Sequence, residues 1–134
     1  MHIDIEKYDI IKRDYEKNHN GREYNFDRVI QVFENIERVG WSAFKHGPVL
    51  ILHKPYTVDT IEFHCHNGGS KKDLIAAVNA FNADMSDTYF FSVTFYDNPV
   101  INELLKHSDV PCEFKKIDQG IDETYQATFR LRSE

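Results

Sequence analysis

Glu62, His64 and His66 are three proton-handling side chains at alternate positions of one short run, TIEFHCHN from Thr60 to Asn67. Side chains of an extended strand point to opposite faces in turn, so these three share one face and Ile61, Phe63 and Cys65 share the other. A carboxylate beside two imidazoles suits general-base work near neutral pH, and histidine is the better tuned of the two types. His64 stands first among them, with His66 and Glu62 as the other catalytic candidates. The bland alternative is a solvated sheet face. Two histidines at i, i+2 on a strand also suit zinc, with His53 approaching from a neighbouring strand, yet spacing fixes no third ligand. Cys65 points away from them and reads as a small buried hydrophobe, not a nucleophile.

Directly after this run come Asn67, Gly68, Gly69, Ser70, Lys71 and Lys72. The glycines let the backbone turn without a Cβ penalty. Ser70 falls where a helix N-cap belongs, and Asp73 three residues on has capping-box spacing. Leu74, Ala77, Val78 and Phe81 then follow at i, i+3, i+4 and i+7, an apolar stripe of a helix packed on one side. Strand, glycine turn and helix N-terminus gather amides and the positive end of a helix dipole at one point, which suits an anion such as a phosphate. Lys71 and Lys72 add charge that the dipole alone disfavours. A tight turn followed by a solvated lysine face is the competing reading.

The bulk properties bound what such a site serves. A chain of 134 residues makes one domain with a real core, in which residues 1–20 form an N-terminal helical extension. A formal net charge of −6 argues against a nucleic-acid partner, because phosphate neutralisation needs a basic surface. No apolar run approaches the roughly 20 residues of a membrane span, so no membrane partner is expected. The charged N-terminus MHIDIEKYDIIKRDYEK is no signal peptide. Cys65 and Cys112 are the only cysteines and make no disulfide framework; a reduced, cytoplasmic protein is the simplest reading.

Several elements must position these residues. Tyr8, Ile11 and Tyr15 at helical spacing predict a helix from about Ile5 or Lys7, and NHNG at Asn18–Gly21 predicts a turn. Asn25 or Asp27 caps a second helix with Phe26, Val29, Ile30, Phe33 and Ile36 on its buried face, stopped at Gly40. A β region begins at Trp41–Phe44, KHGP at Lys45–Pro48 makes a hairpin turn, and the unbroken apolar run Val49–Leu52 predicts a strand buried on both faces. After Phe81 the segment NADMSD reads as a loop. Tyr89–Tyr96 is the strongest strand, being aromatic and β-branched throughout. Pro99 opens a short helix, Val100–His107. Glu113–Ile117 and Tyr125–Leu131 form a final antiparallel pair joined by Gln119–Glu123. The fold class is therefore α+β: a mixed, mostly antiparallel sheet with flanking helices and one right-handed parallel βαβ crossover from Thr60–His66 to Tyr89–Tyr96.

This order of elements, from Asn25 to Leu131, resembles the GCN5-related N-acetyltransferases. In that family a glycine-rich turn between strand and helix holds the pyrophosphate of acetyl-coenzyme A, and Asn67-Gly68-Gly69-Ser70-Lys71-Lys72 is the matching segment. With Leu74 aligned to the apolar position early in the family helix, Gly69 meets one motif glycine and Lys71 replaces the other. The family also splays two strands beside that turn, so that the acetyl carbonyl and pantetheine bond exposed backbone. The resemblance implies that the backbone of His64, Cys65, His66 and Asn67, and the strand end at Tyr96–Asn98 with Asn98 itself, meet the cofactor. The acid that protonates the leaving thiolate is commonly a Tyr in the helix that follows; here that helix, VINELLKH, has none, and His107 stands at its end. The implied activity is acetyl transfer from acetyl-CoA to an amine acceptor, a small molecule or a peptide, in a family that often forms a homodimer through its terminal strands. The alternative is a non-enzymatic domain of this architecture, a structural or interaction part such as phage and mobile elements carry.

Overall fold

Residues 5–18, 27, 31, 35, 38, 40–119 and 122–132 are described by the computed structural model. Helix α1 (Ile5–Asn18) precedes strands β1 (Ser42–His46), β2 (Val49–Pro55) and β3 (Thr60–Asn67). Then come α2 (Lys71–Met85), β4 (Phe91–Tyr96), α3 (Val100–Leu105), β5 (Cys112–Gln119) and β6 (Asp122–Arg130). The strands form one six-stranded sheet in the order β1-β2-β3-β4-β6-β5. Neighbours are antiparallel except β3 and β4, which run parallel because α2 carries the chain across between them. The expected mixed sheet with one parallel crossover is therefore present. No helix among the described residues is long and apolar enough to cross a membrane.

Alternation along β2 explains why its apolar run is unbroken. Val49 and Ile51 point to the α2 side with Ile61 and Phe63 of β3, and all four are buried. Leu50 and Leu52 point the other way and bury against Ile10 and Ile11 of α1. The strand is covered on both faces, as the sequence predicts. On the α2 side, Leu74, Ala77, Val78 and Phe81 supply the helix stripe. Phe81 anchors that core, with its ring 5.1 Å from Phe63 and 5.6 Å edge-on from Phe44. Phe63 in turn lies 5.9 Å from Phe129 of β6, which joins both halves of the sheet under one aromatic cluster.

Boundaries shifted where long-range contacts override local signals. The segment Asn82–Asp87, expected as a loop, is helical to Met85. Asn82 is tolerated inside the helix because buried Ser92 of β4 donates to its Oδ1 at 2.7 Å. Strand β4 starts at Phe91, not Tyr89, since the amides of Phe90 and Phe91 turn to the carbonyl of Asp59. Helix α3 ends at Leu105, and His107 closes a tight turn onto the carbonyl of Leu104. Strands β5 and β6 run on to Gln119 and from Asp122, so the expected joiner is mostly strand. Gly40 and Gly47 both take positive φ, 97° and 54°, and Gly47 turns the β1–β2 hairpin. Helix α1 starts where expected; the side chains of Tyr8 and Tyr15 and most of the NHNG turn lie outside the described residues. So does most of the second expected helix, of which Asp27, Gln31, Asn35 and Arg38 are described, helical and exposed.

Candidate active site

The parallel seam between β3 and β4 holds over three register pairs: Thr60 with Phe91, Ile61 with Ser92 and Glu62 with Val93. Beyond them β3 follows β2 up to the Asn67–Val49 pair, while β4 follows β6 up to the Tyr96–Tyr125 pair. The edges 63–67 and 94–96 thus face each other with no ladder between them among the described residues. A cleft of about 680 Å³ opens there. His64, Cys65, His66, Asn67, Lys71 and Asn98 line it, together with Thr94–Asp97, the α2 residues Leu74 and Val78, and one side of α3. Because the strands part, the cleft passes through the sheet and touches both of its faces.

The turn from β3 into α2 is built by its own side chains. Ser70 Oγ accepts from the Asp73 amide at 3.2 Å, and Asp73 Oδ2 accepts from the Ser70 amide at 2.7 Å, completing the capping box. The Gly69 amide donates to Asn67 Oδ1 at 2.9 Å, and the Gly68 amide to the Pro48 carbonyl at 2.8 Å. Of the helix's leading amides, those of Lys71 and Lys72 take no partner among the described residues. Neither Gly68 nor Gly69 takes a positive φ. Close approach explains them instead. A Cβ on Gly68 would lie 3.1 Å from the Pro48 carbonyl and 3.3 Å from that of Ile10, and one on Gly69 would lie 2.5 Å from Asp73 Oδ2. Gly68, Gly69 and Ser70 therefore shape the turn without lining the cleft, and Lys72 and Glu62 also stand outside its lining.

On the α1 side of the sheet, each of the expected bases has a carboxylate partner. His64 Nε2 meets Glu62 Oε2 at 2.9 Å, and its ring tilts against Trp41 at 5.0 Å. His66 Nδ1 meets Asp14 Oδ2 of α1 at 3.2 Å. His53 lies across the sheet from both, because it pairs with Phe63 and packs its ring 5.3 Å from Phe81. The zinc reading that joined His53 to His64 and His66 fails on this register, and no group of three metal-ligating side chains occurs among the described residues. Burial pulls the His53 pKa below its ordinary value, partly offset by Asp84.

On the α2 side the lining is largely apolar. Burial, with a smaller contribution from Asp14, pushes the Cys65 thiol up to about 12, so it stays protonated and is a poor nucleophile. Tyr96 ends β4 with its ring 5.7 Å from Tyr125, and its hydroxyl donates to Asn102 Oδ1 in α3. Burial, with Cys112 and Tyr125 adding to it, pushes the Tyr96 phenol up to about 12. Asn98 Oδ1 accepts the Val100 amide at 3.0 Å and so starts α3. His107 also lines the cleft.

Two lining side chains escape sequence reasoning. Asp14 lies three and four residues after Ile11 and Ile10, on the helix face that docks on the sheet, but nothing local says which strand it meets. Tyr96 ends the strongest strand of the chain; its alternation parity with Ser92 and Thr94 is the signal that sends it to the α2 side.

No protein-family model and no curated protein matches the chain. Its structure is similar to the crystal structure of the Campylobacter jejuni N-acetyltransferase PseH in complex with acetyl coenzyme A. The TM-score is 0.57 at 10% sequence identity, over 96% of this chain and 93% of that one. The chain thus has a divergent GCN5-related N-acetyltransferase fold.

Proposed function

We propose that the protein is an N-acetyltransferase that moves an acetyl group from acetyl-CoA to an amine acceptor. The observation that carries this reading is the parting of β3 from β4 beside the α2 N-terminus, which leaves backbone edges and a cleft of about 680 Å³ free for a thioester. The likeness to an N-acetyltransferase in complex with acetyl coenzyme A supports the same cofactor. In this reading Lys71 and the amides of Lys71 and Lys72 meet the pyrophosphate, helped by the dipole of a 15-residue helix. The facing edges at His64–Asn67 and Tyr96–Asn98 hold the pantetheine and the acetyl carbonyl.

The reaction needs three proton transfers, two off the nitrogen and one onto the sulfur. An acceptor ammonium gives one proton to His64 or His66, each already set by a carboxylate. The neutral nitrogen then attacks the thioester carbon, gives up its second proton to bulk water as the C–S bond breaks, and the sulfur leaves as thiolate and takes a proton. Tyr96 is too weak an acid to give its proton up outright to a thiolate, whose conjugate acid has a pKa of about 8.5. It serves as a hydrogen-bond donor to the developing charge, in exchange for its bond to Asn102. His107, across the same cleft, is the proton donor. The decisive experiment is calorimetry with acetyl-CoA, followed by release of free thiol in the presence of a primary amine. Heat and thiol release are expected; silence at millimolar ligand sinks the proposal.

One observation favours the second reading, a non-enzymatic interaction domain of this fold. The turn amides at Gly68, Gly69 and Ser70 are taken by the protein's own oxygens, and the Asp73 carboxylate stands at the helix N-terminus where an anion would sit. Absence of acetyl-CoA binding would support this reading.

A further inference from the structure

The cleft has two unlike mouths. Toward α2 it presents Lys71, Asn67 and apolar side chains; toward α1 it presents Asp14, His64 and His66. The register fixes these sides, since His66 pairs with Leu50 and His64 with Leu52, and both leucines are covered by α1. Asp14 is held at the second mouth by packing. Ile10 and Ile11 are buried one turn before it, and the missing Cβ at Gly68 lets the α1 backbone come close.

We propose that Asp14 and His66, 52 residues apart in sequence and joined at 3.2 Å, form the acceptor subsite, and that it takes a cationic primary amine. This rests on the acetyltransferase reading for its reaction, though not for its binding. A primary amine of pKa about 8 to 10 reaches the mouth as ammonium. The Asp14 side chain is 22% exposed and that of His66 27%, so the Asp14 carboxylate is less screened than one on the open surface and attracts that ammonium more strongly. When His66 takes one proton from it, the imidazolium formed is stabilised by Asp14, and the neutral nitrogen is left facing the thioester. A carboxylate near the acceptor nitrogen would be repelled by Asp14 and by Asp97, which also lines the cleft. The subsite therefore selects against amino acids and for amines remote from negative charge. Asp14 makes α1 a specificity-determining element.

The test is an NMR titration of the full chain, following the His66 ring resonances with spermidine and, separately, with β-alanine. Acetyl-CoA affinity is measured alongside. Spermidine is expected to shift the His66 signals and to bind at least tenfold more weakly to Asp14→Asn, which keeps an oxygen for His66, and to Asp14→Ser. β-Alanine should leave the signals in place, and acetyl-CoA should bind both variants as it binds the parent. Spermidine binding that ignores both substitutions, no binding of spermidine, or equal binding of β-alanine overturns the subsite. With acetyl-CoA still bound, each of those results leaves the acetyltransferase reading standing. Asp14-dependent spermidine binding without acetyl-CoA binding upholds the cation subsite and removes the acetyltransferase reading.

Discussion

The two ends of the β3–β4 seam are built to opposite rules. At the paired end, Thr60, Ile61 and Glu62 each have a ladder partner on β4, and just beyond them Phe63 is shut against Phe81 and Phe129. At the parted end the same strands line a cleft with histidines and a tyrosine, and Lys71 of α2 joins them. The chain between them changes little in composition. Partner geometry differs: β3 keeps to β2 and β4 keeps to β6, so the sheet splits where those allegiances diverge. Stability and binding are thereby separated along one pair of strands, which makes each testable without the other.

The largest expected effect is in the aromatic core under the seam. Phe63→Ala should cost about 3–5 kcal/mol, because Phe63 is fully buried among aromatic rings. Urea denaturation measures it, and a loss below about 1 kcal/mol would show that this cluster does not hold the halves together.

Gly69→Asp attacks the parted end. Its Cβ would meet Asp73 and Pro48 at 2.5 Å, so the turn that presents the Lys71 and Lys72 amides must shift, with a second carboxylate added beside Asp73. Acetyl-CoA binding should fall below detection in calorimetry. Unchanged affinity would remove the anion site.

A smaller, purely kinetic effect is expected from Tyr96→Phe. Loss of one hydrogen-bond donor at the leaving group should lower turnover about 10²-fold, with acetyl-CoA affinity kept. Equal turnover would exclude the phenol from the chemistry.

Lys71→Ala should weaken acetyl-CoA binding only a few-fold, as expected of one exposed cation near a helix N-terminus, and should flatten its salt dependence. An unaltered salt slope would place the phosphates elsewhere.

The last test returns to the packed side of β2. His53 has its folded pKa held below the unfolded value near 6.5 by burial. The unfolded chain then binds the extra proton, so this contribution to stability is present above about pH 6.5 and is lost as pH falls through the folded value. His53→Leu should reduce the loss of melting temperature between pH 7 and pH 5; an identical decline in both proteins would assign it to other groups.

Local pattern carried most of the fold. Period-two alternation in TIEFHCHN, the stripe from Leu74 to Phe81 and the unbroken run at Val49–Leu52 each depend on which side of an element meets the core, and that is written in residue spacing. Ser70 and Asp73 likewise announced their cap. Asn82 misled because its local signal is polar, and only Ser92, ten residues on, gives its Oδ1 a partner inside the core. Gly68 and Gly69 were recognisable as a tight place, but the reason for them is the approach of α1 and Pro48, which neighbours in sequence do not reveal.

The sequence by itself determined the elements, their buried faces and the stretch where chemistry concentrates, since all three follow from short-range spacing. That His53 lies on the opposite face from His64 and His66, that Asp14 reaches His66, and how far β3 and β4 run together were decided by assembly. Those depend on strand register and helix docking, in which residues tens of positions apart set each other's place, and no local pattern encodes that.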